Sequence, residues 1–122
     1  MQIGDVAERT DLSLRTVRHY EDVGLIPTAQ RSPGGFRLYT DAAVERLLVI
    51  KQMKPLEFTL EQMREVLDAL DELAADPTDA RRRDLLDVLA GYQALVSKRT
   101  TKLREHLRGA KALQDALDDL LL

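Results

Sequence analysis

A chain of 122 residues, 44% hydrophobic but only 4% aromatic, has room for one ordinary domain and an appendage, and its composition favours helices packed on helices. Its lack of cysteine excludes a disulfide framework, a thiolate metal site and an iron–sulfur cluster. No apolar run approaches the roughly 20 residues that span a bilayer and the N-terminus has no signal-peptide pattern, so a cytoplasmic protein with no membrane contact is expected. The net charge of −3 is unevenly spread: residues 1–54 hold eight Lys/Arg against seven Asp/Glu, and residues 55–122 hold ten against fourteen. A local basic face is therefore permitted, though not argued for.

The chain starts with IGDVAERT (residues 3–10), which reads as a short helix, and Asp11-Leu12-Ser13 reads as a tight turn. Ser13 can cap a second helix by accepting from the free N–H groups of its first turn. Behind it, Leu14 and Val17 fall at helical spacing and are expected to face a core. Arg15, Thr16, Arg18 and His19 lie on the other side, a row of hydrogen-bond donors. Two short helices on a three-residue turn make a helix-turn-helix. Its second helix has the width and the donors to enter a DNA major groove.

Gly24 can end that helix in a left-handed turn. Leu25-Ile26 follows as an apolar extended pair, and Pro27 forbids more helix. Ser32-Pro33-Gly34-Gly35 reads as a turn, with proline fixing one corner and glycine allowing positive φ at the next. Phe36 and Leu38 then alternate with Arg37 and Tyr39, the two-residue period of a strand. A short hairpin with Arg31 and Arg37 near its tip, set beside a recognition helix, is a wing.

Thr40 or Asp41 is placed to cap DAAVERLLVIKQMK, with Val44, Leu47, Leu48 and Met53 as its buried side and Pro55 as its stop. Leu56-Glu57-Phe58 reads as an extended link. Thr59 and Gln62 form a capping box with Phe58 and Met63 as the matching staple, opening a helix from Leu60 to about Leu73 that buries Met63, Val66, Leu67 and Leu70. Glu61, Glu65, Asp68 and Glu72 read as its solvated face. Asp76-Pro77 breaks the chain, and Thr78 can cap a long helix. There Leu85, Leu89, Tyr92, Val96, Leu103, Leu107, Ala110, Leu113, Leu117 and Leu120 recur at nearly heptad spacing, with polar Arg99 in the seam and a bend or end expected near Gly109. Such a stripe wants a partner, and the simplest is a second copy. Arg81-Arg82-Arg83 stands where a helix dipole disfavours cations, and reads as a solvated face or as ion pairs across a dimer.

IGDVAERT…LSLRTVRHYEDVGLI, RSPGGFRLYT, DAAVERLLVIKQMK and FTLEQMREVL, in this order, resemble the MerR family of bacterial transcription regulators over residues 1–73. The resemblance implies a mainly α fold: a winged helix-turn-helix DNA-binding domain over 1–75, with two wings, then a coiled-coil dimerisation helix over 76–122. It also implies a homodimer that bends and untwists an overlong promoter spacer for RNA polymerase. Carried over residue by residue, the family's DNA contacts fall on Arg18, Tyr20, Arg31 and Arg37, with Arg15, Thr16 and His19 beside the groove. Phe36 and Tyr39 are expected to hold the wing to the core. Two positions depart from the family pattern. Asp11 stands where the turn usually has glycine, which aspartate tolerates better than most residues. Glu57 replaces the glycine before Phe58, where a carboxylate would repel phosphate and puts a DNA contact by the second wing in doubt.

The family's cysteine-based metal sensors and iron–sulfur branch are excluded by composition, and its large drug-binding domain is not expected in a chain ending at Leu122. No nucleophile–base pair, phosphate loop or metal-ligand cluster is legible, so neither an enzyme nor a cofactor is expected. The expected function is sequence-specific transcriptional regulation through promoter DNA. The alternative is a coiled-coil protein-interaction or architectural module. A small-molecule effector, the operator and the sign of regulation are left open.

Overall fold

Four hydroxyl side chains start the major helices. In the computed structural model, which describes all 122 residues, the Thr16 amide donates to Ser13 Oγ at 3.1 Å and the Ala43 amide to Thr40 Oγ1 at 3.1 Å. The Gln62 amide donates to Thr59 Oγ1 at 3.1 Å while the Thr59 amide donates back to Gln62 Oε1 at 2.9 Å, the reciprocal pair of a capping box. The Arg81 amide donates to Thr78 Oγ1 at 3.3 Å. These caps open α2 (Leu14–Asp22), α3 (Asp41–Met53), α4 (Leu60–Ala74) and α5 (Asp79–Leu121), and α1 spans Ile3–Thr10. Between α2 and α3 lies an antiparallel hairpin of β1 (Gln30–Arg31) and β2 (Arg37–Leu38), with Gln30 opposite Leu38 and Arg31 opposite Arg37.

The chain divides into two units, residues 1–76 and 77–122. In the first, α1 packs on α2 and on α3, and α3 packs on α4. Val6, Val17, Leu25, Leu47, Ile50 and Leu67 are its most deeply buried apolar side chains. Removing each from water stabilises the fold by roughly 1.5–3 kcal/mol. The left-handed residues of this unit are Asp11 (φ 53°), Gly24 (φ 78°), Gly35 (φ 82°), Glu57 (φ 59°) and Asp76 (φ 54°).

Several sequence expectations change. Leu14, expected in the core, is 45% exposed, because side chains tilt toward a helix's N-terminus and a first-turn residue overhangs the end. On α3 the stripe runs through Ala43, Leu47 and Ile50, which leaves Leu48 exposed at its margin. On α4, Ala69 is buried with Met63 and Leu67, whereas Val66 is half-buried and Leu70 exposed. The link expected to be extended is a 3₁₀ turn over Lys54–Leu56 followed by left-handed Glu57. Pro55 fits it because a first-turn proline sacrifices no hydrogen bond.

The second unit is one uninterrupted helix of 43 residues, about 65 Å long at 1.5 Å per residue. It passes through Gly109 without ending. Glycine costs a helix only about 1 kcal/mol, too little to break a run of good helix formers on either side. Leu103, Leu107, Leu113, Leu117 and Leu120 on it are exposed.

Candidate nucleic-acid interface

Cations brace the segments on either side of α2. Asp11 takes a left-handed conformation (φ 53°, ψ 40°) that turns the chain between α1 and α2. Lys51 Nζ of α3 donates to the Thr10 carbonyl at 2.9 Å, at the end of α1. At the far end of α2, Arg64 of α4 donates to the Val23 and Gly24 carbonyls at 2.6 and 3.1 Å, and Arg46 Nε donates to the Leu25 carbonyl at 2.7 Å. Guanidinium groups there satisfy carbonyls with no helical partner and complement the negative end of the helix dipole. Arg46 also pairs with Asp71 and, at 3.4 Å, with Asp68, which stays exposed on the acidic face of α4.

The opposite side of α2 is open. Arg15, Arg18 and His19 are exposed, and Thr16 is half-buried with its hydroxyl 2.8 Å from that of Ser13. Tyr20 differs from expectation. Val17, Tyr20 and Glu21 follow the spacing i, i+3, i+4 and form the helix's buried face, so the Tyr20 ring lies in the core, apart from the exposed row that holds Arg18. Its ring centroid is 5.4 Å from that of His19.

In the wing, Gly35 (φ 82°) closes the turn and its amide donates to the Ser32 carbonyl at 2.9 Å. Arg31 is exposed, with Nη1 donating to the Gly35 carbonyl at 3.0 Å. Phe36, expected to fasten the wing, is 59% exposed, because it sits at the tip beyond the reach of the core. Tyr39 does fasten it. Its ring is buried, and its backbone amide donates to the Met1 carbonyl at 2.7 Å.

The residue that joins wing and helix is Glu21, which the sequence reading passed over. Its carboxylate is buried and accepts from the Ala29 amide (2.7 Å), the Tyr39 hydroxyl (2.7 Å) and Arg37 Nη1 (3.1 Å). Burial alone pushes the carboxyl pKa up, but the Ala29 amide, the Tyr39 hydroxyl and the positive charge of Arg37 outweigh it and hold Glu21 below its ordinary value. Burial, with the bond to Glu21, raises the Tyr39 phenol. The available signal was an acidic residue four positions after core Val17, where a charge must have partners.

A family profile described as MerR HTH family regulatory protein matches residues 1–70. The chain belongs to the MerR family. Among relatives, it is 36% identical over 86 residues to the mercuric resistance operon regulatory protein of Bacillus cereus, an alignment covering 70% of this chain and 61% of that one. Against NolA, a nodulation protein of Bradyrhizobium elkanii, it is 31% identical, covering 98% of this chain and 52% of that protein. The chain thus spans less than two thirds of these curated relatives. Among solved structures, the transcription regulator PbrR691 from Ralstonia metallidurans CH34, in complex with lead(II), is 32% identical with a TM-score of 0.58, covering 93% of this chain and 85% of that one. HiNmlR, a MerR family regulator lacking the sensor domain and bound to promoter DNA, shares the fold at 20% identity with a TM-score of 0.66, over 88% of this chain and 77% of that one.

This MerR member has no cysteine, and no group of three or more His, Asp or Glu side chains is placed to hold a metal ion. No helix is long and apolar enough to cross a membrane.

Proposed function

We propose that this chain is a transcriptional regulator that binds promoter DNA sequence-specifically as a homodimer. The observation that carries the reading is the exposed row Arg15, Arg18 and His19 on a helix whose C-terminal exit is held by Arg46 and Arg64 and whose side is joined to a wing bearing Arg31 and Arg37. The family and the promoter-bound HiNmlR, which shares the fold, support it. Arg18 reaches base edges, and Arg15, Thr16 and His19 line the groove. Arg31 and Arg37 bind backbone phosphates. Tyr20 contributes from beneath by setting the helix surface. The exposed leucines of α5 pair with those of a second copy, RNA polymerase is the partner at the promoter, and the protein works in the cytoplasm without catalysing a reaction.

Binding of this kind is electrostatic. With roughly three to five cations per protomer on phosphate, a dimer releases about six to ten counterions, and log K falls against log salt with a slope near roughly −5 to −9. Fluorescence anisotropy on a duplex from the protein's own upstream region measures it, and a slope shallower than about −2 overturns the reading. A rigid dimer fits DNA of one shape, and in the mechanism we propose that shape is a bent, untwisted spacer whose deformation costs about 1–6 kcal/mol. Circularly permuted fragments are then expected to migrate according to the position of the site. Uniform mobility would mean straight DNA and remove the distortion mechanism while leaving binding in place.

A further inference from the structure

The wing is too small to orient itself. Its ladder holds two residues per strand, and a lone two-stranded hairpin is marginal in water. Its register also sets Arg31 directly across from Arg37, and like charges in that position repel. Something outside the hairpin must therefore fix its angle to α2 and draw one guanidinium away from the other.

Glu21 is placed to do both. It stands on α2, in the turn that follows Arg18, and its carboxylate takes donors from either side of the hairpin: the Ala29 amide just before β1, and the Tyr39 hydroxyl just after β2. Its third donor is Arg37 Nη1. A guanidinium carries five N–H donors in a rigid fork, so a carboxylate bound at one nitrogen orients the rest of the plane. The Arg37 side chain remains 37% exposed while that of Glu21 is only 6% exposed. One part of Arg37 is thus tied to a buried anchor, and another part is open to a second anion.

We infer that Glu21 is the positioning residue of the wing: its buried carboxylate locks the hairpin to the recognition helix and aims Arg37 at a DNA phosphate, an inference that rests on the DNA-binding reading above. Arg37 then bridges two anions, Glu21 within the protein and phosphate outside it. The angle between helix and wing is set before DNA arrives, so less ordering is left to the binding step. The Met1–Tyr39 backbone pairing does not involve Glu21, so the base of β2 keeps one tether when the carboxylate is neutralised.

The test uses the full chain carrying Glu21→Gln, which keeps the size of the side chain and removes its charge. Without DNA, trypsin is expected to cut after Arg31 and Arg37 several times faster than in the parent. With the upstream duplex, affinity is expected to fall about a hundredfold, roughly tenfold for the charge-assisted hydrogen bond lost from each protomer of the dimer. The salt slope should become shallower by about two per dimer, one phosphate contact per protomer. Combining Glu21→Gln with Arg37→Ala should cost little more than Arg37→Ala alone. A variant with the parent's cleavage rate and salt slope overturns the proposal, and so does weaker binding at an unchanged slope, which is the mark of simple destabilisation. If the parent itself binds no duplex, the DNA-binding reading fails and the aiming of Arg37 fails with it, while the trypsin rates still decide whether Glu21 locks the wing. Should Glu21→Gln not fold, Tyr39→Phe deletes one donor to the same carboxylate. Unchanged cleavage after Arg37 in that variant overturns the lock.

Discussion

Arg18 and Glu21 lie three residues apart on one helix and do opposite work. Arg18 is exposed, so truncating it leaves the core intact. If it reaches a base edge, Arg18→Ala is expected to weaken binding by about 1–3 kcal/mol and to relax specificity at one position of the site. Anisotropy titrations against matched and mismatched duplexes check this, and an affinity equal to the parent's removes Arg18 from the interface. Glu21 is buried, and its effect depends on pH. Burial raises its pKa, but Ala29, Tyr39 and Arg37, helped by the charge of Arg31, lower it further, so the folded value lies below the unfolded one. A depressed carboxylate contributes stability above its unfolded pKa of roughly 4.3, and that contribution is lost as pH falls through the folded value. The Tm of the parent should exceed that of Glu21→Gln by a constant margin from about pH 8 to about pH 5, and the margin should close in stronger acid. Parallel melting curves across the whole range would contradict the assignment.

At the scale of elements, the two departures from the family pattern have one explanation. Asp11 and Glu57, the two positions where the resemblance led to an expectation of glycine, both have positive φ. The backbone keeps the turn and the side chain bears the strain. Aspartate is tolerated in that region and glutamate less so, hence Glu57→Gly is expected to stabilise the fold by about 1 kcal/mol in urea unfolding. Within α5, a Cβ added at Gly109 meets nothing within 4 Å. Gly109→Ala should accordingly raise stability by about 1 kcal/mol per chain. A loss of stability there would mean that another chain lies against that stretch of helix.

At the scale of the molecule, the exposed leucines of α5 form an uncovered apolar stripe. An isolated helix with that stripe is not stabilised by its own length, because helix stability in proteins comes mostly from packing an apolar face. In the proposed dimer, Val96 and Leu103 flank polar Arg99 near the middle of the seam. Burying a leucine contributes roughly 1.5–3 kcal/mol, and an unpaired carboxylate in its place costs more. Leu103→Asp is therefore expected to sediment as a monomer at micromolar concentration while residues 1–76 remain folded by circular dichroism. A dimer that survives this change places the seam elsewhere on the helix.

The elements of this protein were legible because their signals are local. A cap needs only a hydroxyl and the next three amides, as at Ser13, Thr40, Thr59 and Thr78. A wing turn needs only Ser32-Pro33-Gly34-Gly35 in order, and the MerR motifs are runs of such signals. The same locality explains the errors. Burial depends on which neighbour covers a face, so periodicity put Leu14, Leu48 and Leu70 in the core although each is more than 40% exposed. Tyr20 and Phe36 show the same dependence, since the first is 4% exposed on α2 and the second 59% exposed beside the hairpin turn. Glu21 shows the limit most clearly. In the sequence it is one more charge beside Asp22, and its partners Ala29, Arg37 and Tyr39 lie 8 to 18 residues away. Only a fold that returns the hairpin to the helix can bring three donors onto one carboxylate, so sequence alone determined the helix, the wing and their arginines, and tertiary structure decided how the wing is held.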